Sequence, residues 1–143
     1  MNSSKYLGIL KIMQIKQIKE TCLYIKDLDL AESFYREKLG LSLISKVAGR
    51  HVFFRAGSSV LLCFNPDATR NEKVLPPHYA SGPQHIAFEV SLENYENFKS
   101  EVIKKGIKIT HLQDWKKGTR ESFYFEDPEG NVLEVVPEGL WGS

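Results

Sequence analysis

The chain has 143 residues, 42% of them hydrophobic and 26% charged, which is the usage of one ordinary domain and excludes a disordered or low-complexity sequence. Lysine plus arginine (19) nearly balance aspartate plus glutamate (18), so no cationic field holds a nucleic-acid backbone, and no run of about 18 apolar residues is available to span a membrane. Two cysteines, Cys22 and Cys63, build no disulfide framework and point to the reducing cytoplasm.

In chain order, residues 1–13 carry scattered apolar residues and no small-residue cleavage site, and they read as a loose leader. The first module, 14–65, opens with a strand over 17–25. A helix over 27–40 follows, with Asp27 as its cap, Leu30, Phe34 and Leu39 spaced for one face, and Gly40 as its stop. Three short strands at 41–47, 51–57 and 59–65 are parted by Gly49 and by Gly57-Ser58-Ser59. Residues 66–81 hold three of the six prolines and read as a linker and candidate lid. The second module, 82–138, repeats the order. A strand lies at 84–90 and a helix at 91–106, with Tyr95, Phe98, Val102 and Ile103 on one face. Strands follow at 107–113, 120–126 and 131–137, the last two joined by the turn Asp127-Pro128-Glu129-Gly130. Residues 139–143 form a tail. A βαβββ order given twice predicts α+β architecture with mainly antiparallel sheets.

Alternation assigns faces. Thr21, Leu23 and Ile25 face the helices, and Glu20, Cys22 and Tyr24 face away. Ile86, Phe88 and Val90 oppose His85, Ala87 and Glu89, and Leu133 and Val135 oppose Val132, Glu134 and Val136. Aligning the modules sets Glu20 against His85 and Leu62 against Glu134. Two such units placed face to face would gather these four positions, three of which bear metal-ligand side chains. One imidazole and two carboxylates neutralise a 2+ ion and leave coordination positions open. A divalent Mn, Ni, Fe, Co or Zn ion is therefore expected, on Glu20, His85 and Glu134.

The runs LYIKDLDLAESFYREKLGL (23–41), GPQHIAFEV (82–90) and SFYFEDPEGNVLEVV (122–136) give the chain a resemblance to the vicinal-oxygen-chelate superfamily, which includes glyoxalase I, bleomycin-resistance proteins, fosfomycin-resistance thiol transferases and extradiol dioxygenases. The resemblance implies a curled, cup-shaped mixed sheet with helices outside, one metal ion, a small-molecule substrate and a homodimer. Carried over, the ligands are again Glu20, His85 and Glu134. The family's usual first ligand is His or Gln, so Glu20 makes this site more anionic. Leu62 replaces the fourth ligand of glyoxalase I. The implied activity is lyase or isomerase chemistry in which the ion acts as a Lewis acid on a small oxygenated substrate. The alternatives are thiol or water addition to an epoxide, as in the fosfomycin-resistance branch, and ligand sequestration without turnover, as in bleomycin-resistance proteins. In the fosfomycin-like reading, Lys116 and Tyr124 contact an anionic phosphonate.

Other residues take provisional roles. By alternation Glu89 and Tyr124 share faces with the site, with Glu89 a candidate general base. Cys22 and Tyr24 line the substrate side, and Phe53 and Phe64 are candidates for a pocket wall. Lys116, Lys117 and Arg120 form a small basic loop. His51, His78 and His111 lack metal-ligand spacing and read as surface or loop residues.

Overall fold

The computed structural model describes residues 13–116, 118 and 120–142. Most of the leader, Lys117 of the basic loop and the final residue of the tail lie outside the described residues. The elements are β1 (Glu20–Tyr24), α1 (Leu28–Glu32) running into a π-helical turn (Ser33–Lys38), β2 (Ser42–Val47), β3 (His51–Ala56) and β4 (Ser59–Phe64). After them come a short α2 (Pro66–Thr69), β5 (His85–Val90), a 3₁₀ turn (Leu92–Asn94), α3 (Tyr95–Lys104), β6 (His111–Asp114), β7 (Glu121–Glu126) and β8 (Val132–Pro137). The βαβββ order thus stands twice, with α2 as a short addition inside the linker.

Two four-stranded mixed sheets result, ordered β1-β4-β3-β2 and β5-β8-β7-β6. Each has one parallel pair, β1 with β4 and β5 with β8, and two antiparallel pairs. The strands β1 and β5, equivalent in the repeat, are both edge strands, and the sheets do not close on one another.

Local chemistry accounts for the helices. The Asp27 carboxylate accepts from the Leu30 amide at 3.1 Å and starts α1. The helix then widens, and the Leu39 amide reaches back five residues to the Phe34 carbonyl. That widening lets the neighbours Phe34 and Tyr35 both enter the core. Leu30, expected on the buried face, is 51% exposed, and Leu28 and Ala31 are buried in its place. In α3, Tyr95 and Val102 are buried as expected, but Ile103 is 58% exposed. Gly40 and Gly106 end the two helical segments at the same φ of +79°, a conformation that L side chains rarely adopt.

One core serves both modules. It joins Leu23, Ile25, Val52, Phe54, Leu61 and Cys63 of the first sheet to Phe123, Phe125, Leu133 and Val135 of the second, through Phe34, Tyr35, Tyr95 and Val102. Across this seam the Tyr35 hydroxyl donates to Asp127 Oδ2 at 2.7 Å, and the Phe34 and Phe125 rings lie 6.2 Å apart. Asp127 also accepts from the amides of Glu129 and Asn131 and from the Asn131 side chain, each at 2.9 Å. A buried carboxylate is tolerated because four donors surround it. Both sheets present their helix-covered faces to one core. Among the described residues no helix is long and apolar enough to cross a membrane.

Candidate functional site

The open face of the second sheet holds a polar cluster set by strand register. His111, Tyr124, Glu134 and Ala87 lie side by side on β6, β7, β8 and β5. His85 sits two residues before Ala87 on the same face of β5. Its Nδ1 donates to the Val132 carbonyl at 2.9 Å, since a carbonyl oxygen only accepts. That commitment fixes the ring and turns Nε2 toward Glu134 Oε1, 3.2 Å away. Two acceptors then confront each other, an imidazole lone pair and a carboxylate, and a cation between them, a proton or a metal ion, resolves the contact. A histidine with Nδ1–H on a backbone carbonyl and Nε2 facing a carboxylate is also the arrangement metal ligands adopt. Glu134 is 6% exposed, and the Tyr124 ring stacks 6.0 Å from that of His85. Burial, the Glu134 charge and a hydrogen bond to Glu134 together raise the Tyr124 hydroxyl above its ordinary pKa, so it stays a donor.

Glu20 lies elsewhere, on β1 and on the open face of the first sheet. Among the described residues no three His, Cys, Asp or Glu side chains gather in a way that could hold a metal ion. Within one chain His85 and Glu134 form a two-donor pair, and Glu20 lies on β1 of the other sheet. Glu89 is on the His85 face of β5 but four residues on, about 13 Å along the strand. It lines an open groove of about 630 Å³ together with Ile18, Glu20, Leu39, Phe88 and Phe98. Lys116 is exposed in the β6–β7 turn, where the Asp114 carboxylate accepts from its amide at 3.1 Å.

The first sheet's open face falls into three rows. Arg55, Val60 and Glu20 form one, Ser45, Phe53, Leu62 and Cys22 the next, and Val47, His51, Phe64 and Tyr24 the third. Burial and then the Glu20 charge raise the Cys22 thiol above its ordinary pKa, which keeps it protonated. Tyr24 is raised likewise, chiefly by burial.

Two histidines belong to these faces although their spacing signalled nothing. His51 is buried, 6% exposed, and is not a surface residue. Its ring stacks on Phe53 at 3.9 Å, Nδ1 accepts from Arg50 at 2.5 Å, and Nε2 meets Ser45 Oγ at 3.1 Å. His111 is exposed, yet it sits on the polar face 5.7 Å from the Tyr124 ring. Alternation along 107–113 was the available signal for it. Arg50 also grips Glu72 through two bonds of 2.6 and 3.0 Å, and Thr69 Oγ1 donates to the His78 carbonyl at 2.6 Å. These bonds strap residues 65–79 over Phe64, which His78 covers at 4.8 Å between rings.

The chain is similar to several proteins of known name. The chain is 29% identical over 128 residues to a glutathione transferase FosA of Serratia marcescens, a match that covers 85% of this chain and 80% of that protein. It is 24% identical to a metallothiol transferase FosB of Bacillus licheniformis, over 94% of this chain and 78% of the relative. The crystal structure of a lactoylglutathione lyase from Agrobacterium tumefaciens superposes with a TM-score of 0.85 at 35% identity, covering 91% of this chain and 99% of that one. Residues 17–135 match the family described as the Glyoxalase/Bleomycin resistance protein/Dioxygenase superfamily. With most of its length inside that match, the chain belongs to this superfamily.

Proposed function

We propose that the protein is a metal-dependent enzyme of lyase, isomerase or thiol-transfer type acting on a small oxygenated substrate. A divalent ion is held by His85 and Glu134 of one copy and Glu20 of a second. The observation that carries this reading is the His85–Glu134 contact, in which Nδ1 is committed to a carbonyl and Nε2 faces a buried carboxylate. Completion by a second copy is part of the same proposal. Among the described residues no third donor joins the pair, and β1 and β5 are both edge strands, which are templates for pairing with another chain. A second copy that laid its β1 along β5 would carry its Glu20 to the pair, and the repeat would give two such sites per dimer.

When bound, the ion supplies Lewis-acid stabilisation to negative charge that develops on a substrate oxygen. The chain's own residues do the rest. The Val132 carbonyl orients His85, and Glu134 holds the Tyr124 hydroxyl beside the site. Tyr124 stays protonated, and its one hydroxyl proton turns from Glu134 to donate to a substrate oxygen. Glu89, about 13 Å along β5 from His85, serves as a base only for a substrate that reaches down the strand. Relatives named as a lactoylglutathione lyase and a glutathione transferase support glutathione-linked chemistry in particular.

The test is metal content of the full chain, purified without chelators and loaded with Mn, Fe, Co, Ni or Zn. About one equivalent per chain is expected, with loss in His85→Ala, Glu134→Gln and Glu20→Ala. Mixing unfolded Glu20→Ala and His85→Ala chains and refolding them together restores one intact site per heterodimer if the ligands come from two copies. No restoration sinks the shared site. No metal in the wild type, even after loading, transfers the reading to a ligand-sequestering protein.

A further inference from the structure

Resting on that reading, with Glu20 as a ligand, we propose that the substrate carries a flat apolar group, an aryl or conjugated ring, beside its chelating oxygens. The open face of the first sheet is the wall that receives it. Beyond the row that holds Glu20, this face offers Ser45, Phe53, Leu62 and Cys22, then Val47, His51, Phe64 and Tyr24, without one acidic or basic side chain other than the imidazole. Both ring nitrogens of that imidazole are engaged, by Arg50 and Ser45, and the ring is buried against Phe53, so it adds no spare polar atom to the wall.

Val52, Phe54, Leu61 and Cys63 enter the shared core on the helix-covered side, while this face packs buried residues of its own, His51, Leu62 and Phe64, the last under the strap of residues 65–79. Cys22, Tyr24 and Phe53 remain half-buried beside them. Their geometry is a preformed aromatic surface. Phe53 meets Phe64 edge-on at 5.3 Å, Tyr24 lies nearly parallel to Phe64 at 6.5 Å, and His51 backs Phe53. Rings that pack offset or edge-to-face accept another ring in the same way. The patch adjoins the chelating position, since Cys22 is two residues from Glu20 on β1, about 7 Å, and Leu62 is its neighbour on β4. The Arg50 guanidinium, 5.5 Å from the Phe64 ring, is already paired with Glu72, so an ionised group laid on Phe53 and Tyr24 would lose its hydration for no comparable gain. The other wall sets His85, Glu134, Tyr124 and His111 among Ala87, Val132 and Val136. The two walls together orient a substrate with oxygens on one side and ring on the other.

Acetohydroxamate and benzohydroxamate test this, because they share the same pair of vicinal oxygens and differ in methyl against phenyl. Binding to the Mn-loaded full-length protein is measured by titration calorimetry. Benzohydroxamate is expected to bind at least about tenfold tighter, the scale of burying an aromatic side chain. Phe53→Ala should remove most of that preference while leaving acetohydroxamate unchanged, and the milder Phe53→Leu and Tyr24→Leu should each reduce it in a folded protein. Equal binding of the two hydroxamates to the wild type overturns the aromatic wall and leaves the chelating site standing. A preference untouched by all three variants also overturns it. If manganese does not load, the underlying metal reading has failed, and if it loads and neither hydroxamate binds, chelation of vicinal oxygens at that ion has failed instead.

Discussion

At the scale of single residues, the second sheet's pair shows how little sequence distance matters once register is set. His85 and Glu134 are 49 positions apart (134 − 85) and touch because β5 and β8 pair in parallel with Ala87 beside Glu134. Alternation alone assigned both side chains to the open face. The repeat alone matched Glu20 to His85. What neither could tell was where the two modules sit, because that depends on the core they share. Cys22 offers a check at this scale. Burial and the Glu20 charge hold its thiol above the ordinary cysteine pKa, so the thiolate is scarce at neutral pH. Alkylation by iodoacetamide should be several-fold slower than for a small exposed thiol and should accelerate as the pH rises. Glu20→Gln should speed it by removing the nearby charge. Cys63, fully buried and raised mainly by burial, should react only when the chain unfolds. Mass spectrometry of the labelled peptides separates the two sites.

Among elements, the linker gained most from the structure. Prolines and polarity mark 66–81 as irregular chain, and nothing in that composition indicates that Arg50, sixteen positions upstream of 66, would fasten it through Glu72. The fastening is pH-sensitive with a definite sign. The Arg50 guanidinium lowers the Glu72 carboxyl, so its contribution is complete above the usual carboxylate range and is lost as the pH falls through the lowered value. Burial and Arg50 lower His51, which favours the neutral ring. That contribution is complete above the ordinary histidine value and erodes as the pH falls below it, because the unfolded chain then takes up a proton that the folded one resists. Both act in one direction. Amide exchange across 70–78, corrected for its intrinsic pH dependence, should lose protection between pH 7 and pH 4. Glu72→Gln should show the loosened pattern already at pH 7, with β5–β8 unaffected. The π turn after α1 is a comparable case. The spacing of Leu30, Phe34 and Leu39 fits an α-helix, yet burying two adjacent rings, Phe34 and Tyr35, favours the wider turn, and Leu30 is left outside.

For the whole molecule, the shared core decides cooperativity. The Tyr35–Asp127 bond joins the first module's helix to the second module's hairpin across 92 positions. Tyr35→Phe removes one donor from a buried carboxylate and should cost about 2 kcal/mol. Since Phe34, Tyr35 and Phe125 pack in one cluster, both sheets should report that loss. Urea transitions followed by amide probes on β3 and on β7 should shift together, whereas independent modules would shift one probe only. The duplicated βαβββ order and the antiparallel character were legible because turns, caps and alternation are local. The common core that joins the modules was not, because it rests on contacts between halves with no sequence pattern of their own.

A metal site shared between two chains would tie two equilibria that are separate in most metalloenzymes. If an ion needs residues from two chains, its free energy of binding is also free energy of association. Chelators would then dissociate the dimer, and dilution would strip the metal. Specific activity would fall with protein concentration even where every chain remains folded.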